Sequence, residues 1–561
     1  MLRWFGGSAP GARTAQPNDA RMLWNDPPLW TVGHWPAHLL RTAETDSGRI
    51  AVFGSCSASD NDIAHAANLN DPATVLHRWA GSFTAVRTRT GAVDVFADGA
   101  HACPLYTVTT PQGLVWGSSA LALAPLASSR VDTEWLAAYL WDKRAPVASR
   151  SPWTNIIPVR PGHRVMLTPD GCATTTPWWS PSTRTYAEAT ARLRHLLTAG
   201  VRARTSVPVS TDLAGLDSTT LAIIAAAVSP TPVTAITAHP DGQPIGGDLT
   251  YAAQLTVPGL TRILLPLHAG HLPFTPADIP LPATDEPAPS TMIWTMFSAQ
   301  LRLAIAAGAT AHLTGDGGDN LALPPPTHLT DLVRTGRWLR AAADLMDWAR
   351  LRRIDPRPLA RAALQANARR LAHPTTARPP WLTAPPPPPP PGMPNRSTGD
   401  ANTELISNVR TAARAAYADA QLADALKIEL HNPYFDAAVL ETAVSAPASA
   451  RFSAHRYKPL LLDAAGDLLP EPHRNRTTKG TFVSAFHHGA RTNLPHLLDQ
   501  TDRHLAALGL INPALLRTAL HHAALGVETP WATLLRTLAA EAWLATLEAT
   551  PDGAWLAKEA L

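Results

Sequence analysis

Cysteine is almost absent from this sequence: Cys56, Cys103 and Cys172 are scattered and lack metal-ligand spacing. That excludes a disulfide scaffold and a cysteine-rich zinc site, and it fits a reducing compartment. Long apolar runs are missing as well. The stretch 221–228 falls far short of the ~20 residues that span a bilayer, and residues 1–7 lack the extended apolar region of a secretory signal. The expectation is a cytoplasmic chain with no membrane partner. Charged residues are sparse at 16%, and the net charge of +3 is too small over this length to point to nucleic acid. Lysine is scarcer still, at Lys143, Lys427, Lys458, Lys479 and Lys558 among 47 basic residues. Where an arginine-biased chain keeps lysine, a compact ammonium is expected to matter, because guanidinium does not replace it everywhere.

What is present is apolar material: 45% of 561 residues, enough for a sizeable core and two to four domains. To about residue 180 the chain reads as short strands with turns. Residues 50–54, 82–88 and 92–96 are rich in β-branched and aromatic side chains, and Arg89-Thr90-Gly91 supplies a turn. Helices are expected at 132–140 and 186–203, with residues 181–184 as an inter-domain joint. From about 205, strands near 209, 232–237, 261–265 and 311–314 alternate with helices at 219–228, 250–255 and 292–307. That alternation predicts a parallel, helix-covered sheet. Beyond 330 the reading is largely helical, broken by a proline-rich stretch over 379–400 that predicts an exposed loop. The many tryptophans of the first part are expected in the core.

Two stretches carry chemistry. Val209-Ser210-Thr211-Asp212-Leu213-Ala214-Gly215-Leu216-Asp217-Ser218-Thr219-Thr220 joins a strand to a helix, where backbone N–H groups converge on an anion. Asp217 inside such a cradle makes sense if a divalent cation lies between it and a phosphate. Thr314-Gly315-Asp316-Gly317-Gly318-Asp319-Asn320 follows a later strand, and its glycines suit a backbone that approaches a ligand closely. Both loops are expected at strand carboxyl ends, where open parallel sheets bind ligands, with Asp319 facing Asp217.

This pair resembles the asparagine synthetase superfamily of ATP-pyrophosphatases, whose first loop reads S-G-G-L-D-S and whose second reads G-[DE]-G-x-D. Further matches follow in the family's order: residues 247–252, Asp285-Glu286-Pro287, 429–436 (family pattern E-x-R-x-P-F-L-D), 456–461 and 476–482. Residues 98–106 and 116–119 resemble its N-terminal glutamine-amidotransferase half. The resemblance implies an Ntn-type αββα sandwich over 1–180 and a Rossmann-like ATP-pyrophosphatase domain over 186–561. It implies ATP and Mg²⁺ as cofactors, with Asp217 and Asp319 as metal ligands. Gly215, Leu216, Asp217, Ser218, Thr219, Thr314 and Gly315 would hold the nucleotide, and Lys458 and Lys479 would neutralise phosphate charge. Asp316 and Glu429 are the implied proton acceptors, with His431 a lesser choice.

Departures from the pattern narrow the expectation. The family's glutaminase nucleophile is a Cys directly after the initiator Met, and here Leu2 stands there, so glutamine is not expected to supply ammonia. Leu213-Ala214-Gly215 stands in place of Ser-Gly-Gly, His431 in place of Arg and Asn320 in place of Glu. The late T-x-K-G-x-F, G-D-G-G-D and Y-K-P-L-L segments are most similar to lasso-peptide macrolactam cyclases, with β-lactam synthetases next. That likeness implies adenylation of an Asp or Glu side chain of a precursor peptide and its capture by the peptide's own α-amine. It also implies a leader peptidase and a leader-binding protein as partners.

Overall fold

A computed structural model describes residues 3–12, 16–89, 91–144, 150–169, 172–242, 247–372, 378–383, 400–475 and 483–549. The expected strands of the first part fall into two six-stranded antiparallel sheets. Their facing sides share one core in which Phe5 stacks on Phe53 at 3.9 Å, with Trp116, Val86 and Val95 around them. Helix Asp60–Asn68 packs against the outer face of one sheet through Ile63, Ala66 and Ala67. Helix Thr133–Trp141 joins a separate core with the C-terminal helix Trp531–Glu548. The tryptophans behave as expected, with Trp4, Trp30, Trp116 and Trp135 all buried.

After Ala173–Pro177 the chain enters helix Tyr186–Arg204, whose start is fixed by a capping box between Thr185 and Glu188. The predicted parallel sheet follows, in the order Leu260–Leu267, Val233–Pro240, Val209–Asp212, Ala311–Leu313, Glu429–His431. Helix Leu216–Val228 is buried along nearly its whole length, as a helix covering such a sheet must be. Chain order reverses between the central strand 209–212 and strand 311–313, which puts the switch point between the two acidic loops.

Four expectations need correction. Ser210, Thr211 and Asp212 belong to the strand rather than the loop, and the helix starts at Leu216 rather than 219, so Asp217 and Ser218 sit in its first turn. Asp217 and Ser218 are weak helix formers that suit a cap or loop, whereas the buried face that follows Gly215 sets the real start. Glu429–His431 forms a fifth strand within a region expected to be helical, because its ladder partner 311–313 is more than a hundred residues away. The beginning of the proline-rich stretch is not exposed: Trp381 is 1% and Leu382 4% exposed. The Trp381 indole donates to Thr537 at 3.1 Å. Residues 384–399, including the run of seven prolines, lie outside the described residues. No helix among the described residues is long and apolar enough to cross a membrane.

A candidate nucleotide-binding site at the parallel-sheet edge

The two acidic loops interlock because glycine stands wherever they touch. A Cβ on Gly315 would lie 2.8 Å from the Ser218 nitrogen, and one on Gly318 only 2.3 Å from Asp217 Cγ. Strand register sets this approach, since Thr211 pairs with Leu313, Leu313 pairs with His431, and the Thr314 N–H donates to the His431 carbonyl at 2.9 Å. Residues 433–435 wedge beneath both loops. The Tyr434 hydroxyl, fully buried, donates to the Asp217 carbonyl at 3.0 Å, and Phe435 packs against Gly317.

Within the first loop the Ser218 hydroxyl is engaged internally, accepting from the Ala214 N–H at 3.2 Å and donating to the Gly215 carbonyl at 3.2 Å. Gly215 caps the helix without a side-chain hydrogen bond, and a Cβ there would meet nothing within 4 Å. The helix entrance therefore opens onto space. Leu216 and Thr219 point inward and are buried, and the Thr219 N–H already donates to the Gly215 carbonyl at 3.0 Å. The Thr314 hydroxyl donates to Asn432 and accepts from the Asp316 N–H at 3.1 Å. Asp316 itself is exposed.

Lys458 is the centre of the site. It is 1% exposed, and its ammonium donates to Asp217 and forms an ion pair with Asp319 at 2.7 Å. Its backbone has a φ of +44°, a sparsely populated conformation for a residue with a side chain, and it directly precedes helix Pro459–Ala465. Burial works to lower the Lys458 pKa, but the two carboxylates outweigh it and hold the ammonium charged above its ordinary range. Asp217 and Asp319 thus converge on the Lys458 ammonium, where the sequence predicts that they face each other across a metal ion. The Asp319 side chain remains 42% exposed on the open side.

A divalent cation held here would have to share these carboxylates with the Lys458 ammonium, which already lies between them. Two carboxylates from separate loops already converge on a cationic centre, one of them reachable from solvent. No group of three His, Cys, Asp or Glu assembles for a metal among the described residues. The ion would therefore draw its remaining ligands from phosphate and water, which is the usual habit of Mg²⁺. Lys479 lies outside the described residues.

Glu429 lies apart from this centre, at the junction with the antiparallel sheets. Burial raises its pKa, but hydrogen bonds from His38 and His431, each at 3.0 Å, outweigh that and hold it well below the usual carboxylate range. A carboxylate so stabilised is a weak proton acceptor. A cavity of about 140 Å³ beside it is lined by Arg3, Cys103, Arg204, Tyr417, His431 and Asn432. No thiol there is primed for nucleophilic attack: burial raises Cys103 far above its ordinary value and pushes Cys56 up to about 12.

Asp285 and Glu286 also sit away from the loops. Asp285 accepts from Ser119 at 2.6 Å, from the Leu121 N–H at 2.9 Å and from Gln421 at 3.0 Å, while Glu286 pairs with Arg414 at 2.9 Å. The segment ties the antiparallel sheets to the long helix Ala401–Asp424. Sequence reasoning missed Tyr434 as a support for Asp217. It also missed Asp419, a buried carboxyl that accepts from the Ser290 N–H at 2.8 Å. Burial pushes the Asp419 pKa up to about 7, with Asp316 adding to the rise. Tyr434 falls within the 429–436 segment already singled out but carries no role there, and Asp419 has no local signature.

No curated protein matches this chain. Similar solved structures include an allosteric regulatory enzyme of purine biosynthesis, 10% identical, with 47% of this chain and 59% of that one covered and a TM-score of 0.21. Another is the glutamine phosphoribosylpyrophosphate amidotransferase from B. subtilis complexed with ADP and GMP. It is 10% identical, with 58% of this chain and 76% of that one covered and a TM-score of 0.21. At that score neither likeness bears on this chain's fold. The decisive match is to the model of the asparagine synthase family, which covers residues 192–545, well over half the chain and both acidic loops. This protein belongs to the asparagine synthase family, ATP-dependent ligases that form amide bonds.

Proposed function

We propose that the protein is an AMP-forming macrolactam synthetase. It would activate an Asp or Glu side chain of a precursor peptide with ATP and join it to the peptide's own N-terminal amine. The observation that carries the reading is the convergence of Asp217 and Asp319 on buried Lys458 at the sheet switch point, beside a helix entrance that opens onto space. ATP, when bound, supplies the leaving group that a free carboxylate lacks.

The chain's own residues then take these roles. Backbone N–H groups of the helix entrance from Gly215 to Ser218, with Gly315, would hold the phosphates, since the Thr219 and Thr314 N–H groups already donate to the Gly215 and His431 carbonyls. Asp217 and Asp319 would hold Mg²⁺. Lys458, joined by Lys479, offsets negative charge as it develops. Asp316, exposed at the open side, is the better placed proton acceptor for the attacking amine, because its rival Glu429 is held ionised by two histidines. The antiparallel sandwich, read as an Ntn-type domain over 1–180, holds Cys56 and Cys103 as thiols that burial makes unsuited to nucleophilic attack, and in this reading the amine comes from the substrate. A leader peptidase and a leader-binding protein would prepare the peptide in the cytoplasm.

The test is ATP–pyrophosphate exchange followed by mass analysis of a processed candidate precursor. The expected result is peptide-dependent exchange and a product lighter by one water. Asparagine formed from aspartate and ammonia would replace this reading with an ammonia-dependent synthetase. Absence of exchange with every carboxylate tried would reduce the protein to a binding scaffold.

A further inference from the structure

Residues 334–370 contain ten arginines and three aspartates, a local charge of +7 in a chain whose net charge is +3. Nine of those arginines are exposed. Aspartates accompany Arg334, Arg340 and Arg350, but Arg337, Arg352, Arg353, Arg357 and Arg361 make no ion pair among the described residues. The same helices, Trp338–Arg352 and Pro356–Leu364, expose Leu339 at 90%, Leu364 at 64%, Leu351 at 57% and Trp338 at 54%. Their inner faces are already used, with Ala341, Leu345, Ala349, Ala362 and Ala363 buried in a core of their own. The exposed set is therefore a surplus of cations and large apolar groups that folding alone does not require.

This surface runs into a cavity of about 190 Å³ whose lining includes Leu323, Pro325, Trp348, Arg352, Asn408 and one carboxylate, Glu404. Arg352 joins the two, its guanidinium lying over the Trp348 ring at 4.5 Å. Leu323 ends the helix Gly318–Ala322 that carries Asp319, and Asn408 accepts a hydrogen bond from Asn320 at 3.3 Å. One short helix thus separates the cavity from the metal-ligand candidate.

We infer that helices 338–352 and 356–364, with this cavity, are the docking surface for an acidic peptide segment bearing large apolar side chains. That segment is part of the substrate in the ligase reading, on which the inference rests. Charge complementarity selects an anionic partner. Exposed Leu and Trp select one with apolar side chains, which a phosphate backbone does not offer, and an indentation beside Trp348 suits a chain better than a lipid surface. Individual exposed ion pairs contribute little, so binding depends on several acting together with the apolar contacts.

Fluorescence anisotropy of a labelled peptide of alternating Glu and Leu, titrated with the full chain in the absence of ATP, tests this. The expected result is that Arg352→Glu/Arg353→Glu/Arg357→Glu weakens binding about tenfold or more. Arg78→Glu/Arg130→Glu/Arg202→Glu, exposed arginines elsewhere with the same charge change, leaves it unchanged. A triple glutamine variant at 352, 353 and 357 gives a smaller loss in the same direction and serves if the reversal impairs folding. Equal weakening by both glutamate triples overturns the inference. So does equally tight binding of the matching Lys-Leu peptide, of single-stranded RNA, or of phosphatidylserine vesicles. The readout needs no turnover, so missing pyrophosphate exchange counts against the ligase reading alone, and unchanged peptide affinity counts against this surface alone.

Discussion

Between the two antiparallel sheets, Phe5 stacks on Phe53 with Trp116 and valines around them, in a core made mainly of apolar side chains. At the carboxyl edge of the parallel sheet the chain buries an ammonium and brings two carboxylates onto it, in a backbone conformation that lysine seldom adopts. The first arrangement is what hydrophobic burial alone produces. The second concentrates charge where solvation is poorest and has to be held by partners from distant parts of the chain. The difference teaches where to look for chemistry: the sandwich is a wall, and the sheet edge is a machine part built against the preferences of its residues.

The sharpest way to separate the two regions is to damage each and compare what fails. Phe53→Ala removes a ring that is 1% exposed and is expected to cost about 3–5 kcal/mol of stability. The KM for ATP should stay unchanged in the fraction that remains folded, as read by denaturant titration beside steady-state kinetics. Lys458→Met should do the reverse. Pyrophosphate exchange falls by about a hundredfold or more, and a rate within a few-fold of the parent would remove Lys458 from the site. Gly318→Ala forces a methyl group to within 2.3 Å of Asp217 Cγ, so the carboxylate must shift. Activity is expected to drop on the order of ten- to a hundredfold, by the usual sensitivity to misplacement, while the circular dichroism spectrum is unchanged.

A smaller effect concerns pH. Burial raises Asp98 in the sandwich from 3.8 to about 7, against N–H donors from Ala102, Ala100 and Cys103. The folded state therefore keeps a proton that the unfolded chain has released, and this contribution to stability falls as pH rises from about 4 to 7. Glu429 and His431 at the junction act oppositely. Burial holds His431 below 6.5 and hydrogen bonds hold Glu429 below 4.5, so their contributions are lost on acidification. Asp98→Asn should flatten the decline towards neutral pH in thermal melts and leave the acid limb as it was. An unchanged slope would mean that Asp98 is ionised in the fold.

Much of this architecture was legible in the sequence. The alternation of strands and helices after residue 205 announced the parallel sheet, and both acidic loops lie where their flanking strands imply. What escaped was whatever depends on distance along the chain. Nothing near residue 458 signals a partner at 217, and nothing near 429 signals a ladder with 311. The proline-rich stretch obscured the Trp381-Leu382 pair, whose burial depends on helices more than a hundred residues later. The helix start at Leu216 was hidden because Asp217 and Ser218 are weak helix formers that packing nonetheless places in the first turn.

Arg204 and Asp436 are 1% and 0% exposed, paired at 2.6 Å, and closed over by the Ser82 hydroxyl, which donates to Asp436 at 2.8 Å from the sandwich side. A fragment beginning near residue 186 would open this ion pair to water together with the apolar surface around it. The first third is thereby a structural part of the whole, and it has to stay attached for this junction to remain dry.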